Sequence, residues 1–527
     1  MTKKLTLQAL DKLLQTRFKE GFLSLKDLPN PSTFKDMDKA TARIVSAIQN
    51  KEKITIVGDY DVDGVTSTTL MRLFFAEIAY DIEWIIPNRF KDGYGLSANI
   101  VPQILGTDLA ITVDNGISAV YAAKLCKEEG IELIITDHHL LAPEVPECYA
   151  IIDQKQESCT FPYADVCGAQ IAWYLIASLK NALNIKINMI SYMELVSIAI
   201  IADMMPLQHI NRAMVEAGLQ ALNKSTKPAI KAFKEHAQKE TLTAEDIGFF
   251  LAPLLNSAGR MEDASYAVDF LTSTNIYDAR VRLERLVDFN TLRKATEQDL
   301  TEKALAQVNV EDEVIVVEGK KWHEGVVGIV AARVSRQHEK PCIVLSNNGE
   351  GILKGSGRSF GVCDLFAITD SCREHLEKFG GHQAAIGLSL HEKSLEAFKS
   401  QLQTNYALAD FKKEDSDPDI VGELPFSFIS FDLTTLIKKY EPYGQGNPTP
   451  KFISKHVEIL QVDTMGKEGE HLRFSFVQEG IVMAGVQFKT REVYEIGSNV
   501  DIIYTVNENH FRGKVTLQLM VDKIVVT

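Results

Sequence analysis

Three short acidic segments carry the residue types that could do chemistry. Ile134-Ile135-Thr136 runs into Asp137-His138-His139. Earlier, Lys53-Ile54-Thr55-Ile56-Val57 runs into Gly58-Asp59-Tyr60-Asp61-Val62-Asp63-Gly64, and Asp108-Leu109-Ala110-Ile111-Thr112-Val113 runs into Asp114-Asn115-Gly116. Each apolar, β-branched run reads as a buried strand, and the carboxyl ends of parallel strands are where ligands sit in open α/β sheets. By itself an Asp-His-His triplet reads equally well as a polar loop. Three strand ends that carry Asp, Asp and Asp-His-His favour a site, because clustered carboxylates repel one another unless cations neutralise them.

The elements that must position these residues alternate from about 51 to 155. Thr66 to Ala79 has helical spacing with Leu70, Leu73 and Phe74, and Ile117 to Glu129 is a second helix, stopped by Gly130. Ile131 to Thr136 is the next strand, so the pattern predicts a parallel sheet with crossover helices. Between the first two acidic turns lie Pro87-Asn88-Arg89 and Gly93-Tyr94-Gly95-Leu96, a phosphate-binding loop or an ordinary glycine turn. Upstream, Leu5 to Phe18 and Ala40 to Ile48 read as short helices capping the first sheet.

Residues 165 to 310 read as mainly helical. The apolar helix Ser191 to Ile201 ends at Ala202-Asp203-Met204-Met205-Pro206. Asp203 needs a partner or a metal if buried, and exposure beside Pro206 is the alternative. Leu254-Leu255-Asn256-Ser257-Ala258-Gly259-Arg260 reads as a small-residue turn. Asp278 to Lys303, without Gly or Pro and with mixed charges, predicts an exposed helix joining two domains.

Residues 311 to 410 begin a second α/β pattern, with strands at Val314 to Val317 and Cys342 to Leu345 around a helix at Val326 to Val334. Gly355-Ser356-Gly357-Arg358-Ser359 and Gly380-Gly381-His382-Gln383 follow. Such clusters are commonly turns, yet two of them, each with a donor, lean towards ligand contact. After an acidic linker, Asp415 to Asp419 with Pro418, the rest reads as short alternating strands of a small barrel. There Arg473, Phe474, Phe488, Lys489, Phe511 and Arg512 interleave basic and aromatic residues in the manner of single-strand binders, unless the aromatics are core.

Composition bounds the partners. The 527 residues suit several domains, and 45% hydrophobic with 24% charged residues is ordinary for a folded soluble protein. A net charge of −15 does not favour a polyanion, so nucleic-acid contact must rest on local basic patches or metal ions. Seven cysteines without a CxxC pair suggest reduced thiols in a cytoplasmic protein. Met1 to Asp11 lacks the apolar core of a signal peptide, and Val196 to Ile201 is too short to span a bilayer, so no membrane is expected.

The ordered set DYDVDG (59–64), VDNG (113–116), DHH (137–139) and AD (202–203) resembles the DHH phosphoesterase superfamily. GSGRS (355–359) and FGGHQAA (379–385) resemble its DHHA1 domain. The whole order, with NSAGRM (256–261), YGQGNPTPKF (443–452) and a terminal barrel, resembles the RecJ single-strand-specific 5′ to 3′ exonucleases. The resemblance implies an α/β fold. Helices at 1–50 would precede a parallel-sheet DHH domain at 51–275 and a linking helix at 276–308. An α/β DHHA1 domain at 309–410 and an all-β OB-fold barrel at 411–527 would follow.

Residue by residue, the resemblance implies that Asp61, Asp63, Asp114, His138 and Asp203 bind a pair of Mn²⁺ or Mg²⁺ ions, with Asp114 as the bridge. His139, Asp137 and Asp59 are its catalytic residues: His139 faces the scissile phosphate, and Asp59 lies in or next to the metal shell. Arg89, Arg260, Ser356 and Arg358 would hold a 5′ phosphate, with Gly381 and His382 also on the substrate. It implies a monomer acting on single-stranded DNA in repair and recombination, with a single-strand-binding protein and a helicase as partners. Ile151-Ile152-Asp153-Gln154 stands where the family usually has an Asn-Pro segment, Ala199 and Ile200 replace Gly-Thr, and Leu254 replaces an arginine. None of these removes an implied ligand. The alternatives are a phosphodiesterase of short oligonucleotides or cyclic dinucleotides, against which the barrel argues, and a non-catalytic scaffold, against which the intact carboxylates argue.

Overall fold

The computed structural model describes residues 5–409, 411, 419–466, 469–490 and 492–526. Asp415 to Pro418 of the expected linker lie outside them. Strands β1 (Ile54–Val57), β2 (Glu83–Ile85), β3 (Leu109–Val113), β4 (Glu132–Thr136) and β5 (Ala150–Ile152) form a five-stranded sheet in the order β2-β1-β3-β4-β5. Every pairing is parallel. β1 and β3 are buried at every position, which is why they read as unbroken apolar runs: both faces are covered. From β1 the chain goes to β2 on one side and returns to β3 on the other. The carboxyl ends of β1 and β3 therefore flank the switch point of the sheet.

The first helices are α1 (Leu7–Gln15), α2 (Met37–Asn50), α3 (Val62–Glu77), α4 (Val120–Glu128), α5 (Gly168–Ala182), α6 (Met193–Ala202) and α7 (His209–Asn223). α2, α3, α5 and α6 share one core with β1, β3 and β4. α1 departs from expectation. Its Leu10 and Leu14, with Phe18, join the core of the C-terminal barrel beside Tyr440 and Phe452, so it does not cap the first sheet. The Leu5 N–H also bonds the Glu423 carbonyl at 3.1 Å.

The segment expected as a small-residue turn lies within the helix Ala252–Met261. Its small residues serve close packing: the Ser257 hydroxyl donates to the Leu254 carbonyl at 2.6 Å and reaches that of Leu286, on the next helix, at 3.2 Å. That next helix, Ile276–Leu305, is the expected link. Leu283, Leu286 and Phe289 belong to the first core, and Leu300 and Ala304 to the second. Buried Glu297 pairs with Arg293 at 2.7 Å and with Arg333, which stiffens the junction.

β6 (Ile315–Lys320), β7 (Cys342–Asn347), β8 (Ile352–Arg358), β9 (Leu376–His382) and β10 (Ala385–His391) form a second sheet in the order β6-β7-β8-β10-β9. Both glycine-rich segments therefore lie largely in strands, not turns. Arg358 and His382 flank Ala385 across neighbouring strands, on one row of the sheet. Beyond β11 (Ile420–Glu423), strands β12 (Lys451–Met465), β13 (His471–Gln478), β14 (Ile481–Phe488), β15 (Asn499–Phe511) and β16 (Lys514–Val526) close into a barrel through β12–β15 pairing. The mixed α/β class with a terminal OB-like barrel is thus as the resemblance implied. All seven cysteines are free thiols. No described helix is long and apolar enough to cross a membrane.

Candidate metal centre and phosphate pocket

The acidic cluster is assembled at the carboxyl ends of β1, β3 and β4. Asp61 caps α3, its carboxylate accepting the Asp63 and Gly64 N–H groups at 2.9 and 3.2 Å. Asp63, in the first turn, accepts the Gly168 and Ala169 N–H groups at 2.5 and 2.8 Å. The amino ends of α3 and α5 thus point into the cluster, which favours anionic groups there. Position 168 must be glycine, because a Cβ would lie 2.5 Å from the Asp114 Cβ. Asp114 itself holds φ 62, a left-handed conformation that aspartate tolerates better than most residues. Beside it the Asn115 amide donates to the Val57 and Val113 carbonyls and accepts the Leu96 N–H, tying β1, β3 and the 93–96 loop together.

His138 stands at the centre. Its Nε2 lies 3.2 Å from Asp114 Oδ1 and 3.6 Å from both Asp63 Oδ2 and Asp203 Oδ2. The contact with Asp114 lacks hydrogen-bond alignment, and Asp114 Oδ1, Asp203 Oδ2 and both Asp59 oxygens are buried without a hydrogen-bond partner. Oxygens stripped of water and left unpaired call for cations. Single donor atoms of Asp63, His138 and Asp203, of Asp59, Asp61 and Asp114, and of Asp114, His138 and His139 gather within 4.8 Å in each set. A donor set rich in carboxylates with an imidazole fits Mn²⁺ or Mg²⁺.

The electrostatics agree. Burial, then the Asp63 charge, holds the Asp114 carboxyl well above the usual range. Burial and Asp61 do the same to Asp59 and push Asp63 up to about 6. Burial, Asp63 and Asp61 push Asp203 up to about 9. Burial and neighbouring His139 hold His138 down at about 3, so its imidazole is neutral and able to ligate.

His139 differs. Burial opposes its charge, but the 2.6 Å bond from Nδ1 to Asp137 and the charges of Asp137, Asp61 and Asp203 outweigh burial and push it up to about 9. Asp137 is a positioning group. Its Oδ1 also accepts the His138 and His139 N–H groups, and its Oδ2 accepts the Ile117 N–H at 2.8 Å. The Tyr94 hydroxyl lies 3.3 Å from His139 Nε2.

The arginines converge from both α/β halves. Arg89 lies with its guanidinium 4.1 Å over the Tyr60 ring, and its Nε is buried without a partner. Arg260 reaches the Gly325 carbonyl at 3.0 Å, and Arg358 reaches that of Gly357 at 2.8 Å. Burial first, then Arg89 and Arg358, lowers Arg260 to about 10. Among the described residues none of the three forms an ion pair. Ser356 shares β8 with Arg358, and both approach Gly328. The His382 imidazole is lowered by burial and by the positive charges of Arg358 and His139. Gly381 precedes it on β9.

Sequence reasoning passed over Tyr94 as a support of His139, Asn115 as a strut, and Lys155, whose ammonium donates to the His138 carbonyl. Of these, only the spacing of Asn115 within the acidic turn offered a signal. Of the interleaved barrel residues, Phe474 is core, whereas Phe488 and Phe511 are exposed.

Residues 53–200 match the DHH family N-terminal domain, 311–407 the DHHA1 domain and 420–523 the RecJ OB domain. The chain is 32% identical to the single-stranded-DNA-specific exonuclease RecJ of Haemophilus influenzae, over 98% of this chain and 96% of that one. The chain belongs to the RecJ family of single-stranded-DNA-specific exonucleases. The Bacillus subtilis RecJ is 33% identical over 96% of this chain, which spans 66% of that longer protein. The RecJ of Thermus thermophilus in complex with Mn²⁺ superposes with a TM-score of 0.80 at 26% identity, over 93% of this chain and 72% of that one. Its Mg²⁺ complex superposes at 0.72 with 25% identity, over 94% and 70%. The expected cofactor, Mn²⁺ or Mg²⁺, agrees with both complexes and with the donor set here.

Proposed function

We propose that this RecJ-family chain degrades single-stranded DNA from a 5′-phosphorylated end, releasing mononucleotides. Asp61, Asp63, Asp114, His138 and Asp203, with Asp59 beside them, would hold a pair of Mn²⁺ or Mg²⁺ ions. When bound, such a pair lowers the pKa of water and stabilises charge on the attacked phosphate and the leaving oxygen. His139, kept protonated by Asp137 and flanked by Tyr94, faces the scissile phosphate and donates to its oxygen. Arg89, Arg260, Arg358 and Ser356 take the terminal phosphate, with Gly381 and His382 on the nucleotide beyond it. Arginine forks match a phosphate dianion and reject a hydroxyl. A pocket walled by both α/β halves limits how far the strand enters and excludes a duplex.

The observation that carries this reading is the convergence of Arg89, Arg260 and Arg358 from both α/β halves, none of them in an ion pair among the described residues. On the barrel, Phe488 and Phe511 with Arg473, Lys489 and Arg512 offer stacking and phosphate contacts to the trailing strand. The role in repair and recombination, a single-strand-binding protein and a helicase that deliver the strand, the monomeric state and the cytoplasmic location belong to the same reading. Digestion of labelled DNA and RNA, single- and double-stranded, with 5′ and 3′ ends blocked in turn, tests it. A 5′ block should abolish release of mononucleotides from single strands. Digestion from the 3′ end, or of duplex ends, would overturn it.

A further inference from the structure

The sequence YGQGNP (443–448) lies outside both the metal cluster and the phosphate pocket. Its surroundings give it work at the metal centre. Asp203 ends α6, and the turn after it is held by the Met204 N–H on the Ile201 carbonyl and the Met205 N–H on that of Ile200. Met204 adopts φ 55, where glycine is usual at such helix ends. A turn with that backbone cost persists when its surroundings over-determine it.

Those surroundings come from the barrel half. The Leu207 N–H donates to the Gln445 carbonyl at 2.7 Å, and the Gln208 amide donates to that of Gly446 at 2.7 Å. Gly446 holds φ +71, and a Cβ there would stand 3.0 Å from the Pro206 Cβ. The 443–448 turn is itself closed by reciprocal bonds between Gly444 and Asn447, at 3.0 and 3.1 Å. Buried Asn447 donates to the Tyr440 and Pro442 carbonyls and accepts from Arg17. On the catalytic side the Asn211 amide donates to the Pro206 carbonyl at 3.0 Å, and its oxygen accepts from Gln170 at 2.9 Å. Gln170 closes the amino end of α5, whose Gly168 and Ala169 N–H groups hold Asp63.

We infer that the Gln445-Gly446-Asn447 turn is a positioning latch, through which the barrel half fixes Asp203 and the support of Asp63 in the geometry that binds metal. This rests on the reading of Asp203 and Asp63 as ligands. Its residues would act through Pro206, Leu207 and Gln208, not by direct contact with ion or DNA. Outer partners of metal ligands commonly control affinity by about 10–100-fold when removed.

The test uses the full-length chain with Gln208→Ala, Asn447→Ala and, as a check on the ligand reading, Asp203→Asn. Mn²⁺ binding is followed by calorimetry without DNA, and kcat and KM on a long 5′-phosphorylated single strand are measured across Mn²⁺ concentrations. The latch variants should bind Mn²⁺ about tenfold more weakly. Their kcat should fall at low Mn²⁺ and recover in excess, with KM for DNA little changed. Unchanged Mn²⁺ binding in Gln208→Ala, with or without a raised KM for DNA, would overturn the latch and leave the turn a tether for the barrel. Gln208→Ala decides even if Asn447→Ala fails to fold. Wild-type Mn²⁺ binding by Asp203→Asn would instead overturn the ligand reading on which the latch depends.

Discussion

At the scale of single residues, the centre is a set of carboxylates that cannot all be charged without cations. Asp114 is fully buried, its carboxyl held far above the usual range by burial and Asp63. Asp114→Ala should therefore cut turnover by more than the roughly 100-fold that loss of an outer partner costs. Its metal-free melting temperature should stay close to the wild type, because relief of the buried carboxyl offsets the strain of alanine at φ 62. Turnover with Mn²⁺ and thermal unfolding check both halves, and near-normal turnover would contradict the role. His139 and Asp137 form the opposite case. The His139 pKa is raised from 6.5 to about 9 in the folded chain, so its contribution to stability is complete below pH 6.5 and lost as pH rises through about 9. In Asp137→Asn the charge is gone and at most a neutral acceptor remains, so the imidazole should titrate much closer to 6.5. NMR titration of the metal-free protein reads this, and an unmoved His139 would show that Asp137 does not hold its proton.

At the scale of elements, the strand ends were legible because each acidic turn follows directly on a β-branched run with no room for an intervening element. The arginine pocket was legible only in part: Arg89 and Arg358 stood out beside glycines, but grouping them with Arg260 and Ser356 took the resemblance. Arg260 sits on a helix whose Ser257, Ala258 and Gly259 look like turn residues until a second helix is seen lying against them. Ser356 and Arg358 lie at the Gly-Ser-Gly end of a seven-residue strand, a composition that gives no strand signal. Alternation in β13 could not tell which face was core, so Phe474 was grouped with residues that point outwards. The docking of α1 on the barrel was out of reach, since Arg17 meets Asn447 across 430 positions of chain. That contact also changes how the barrel should be probed. Deleting it would uncover Leu10, Leu14 and Phe18, so a point change is cleaner. Phe511, 63% exposed at the end of β15, is the better target. Phe511→Ala should weaken binding of a long single strand by about 1–3 kcal/mol, the contribution of one stacked base. Cleavage of a trinucleotide should change little. Fluorescence anisotropy and product analysis measure the two, and equal losses on both substrates would remove the barrel from the DNA path.

At the scale of the whole molecule, an acidic cluster in one α/β half faces a basic pocket completed by the other, with the linking helix packed against both cores. An overall charge of −15 is then no obstacle, because in the proposed function attraction to the strand would be local: ions on the carboxylates, arginines at the terminus and exposed aromatic and basic groups on the barrel. The central claim is that the arginines read a 5′ phosphate and so set the direction of digestion. The most direct measurement is the ratio of kcat/KM for 5′-phosphorylated over 5′-hydroxyl single strands, in the wild type and in Arg358→Ala. A lost hydrogen bond to a charged group is worth about 1.5–3 kcal/mol, so the ratio should be well above one in the wild type and fall by roughly 10–100-fold in the variant, with Mn²⁺ binding unchanged. Equal rates on the two ends in the wild type, or a ratio untouched by Arg358→Ala, would contradict the account.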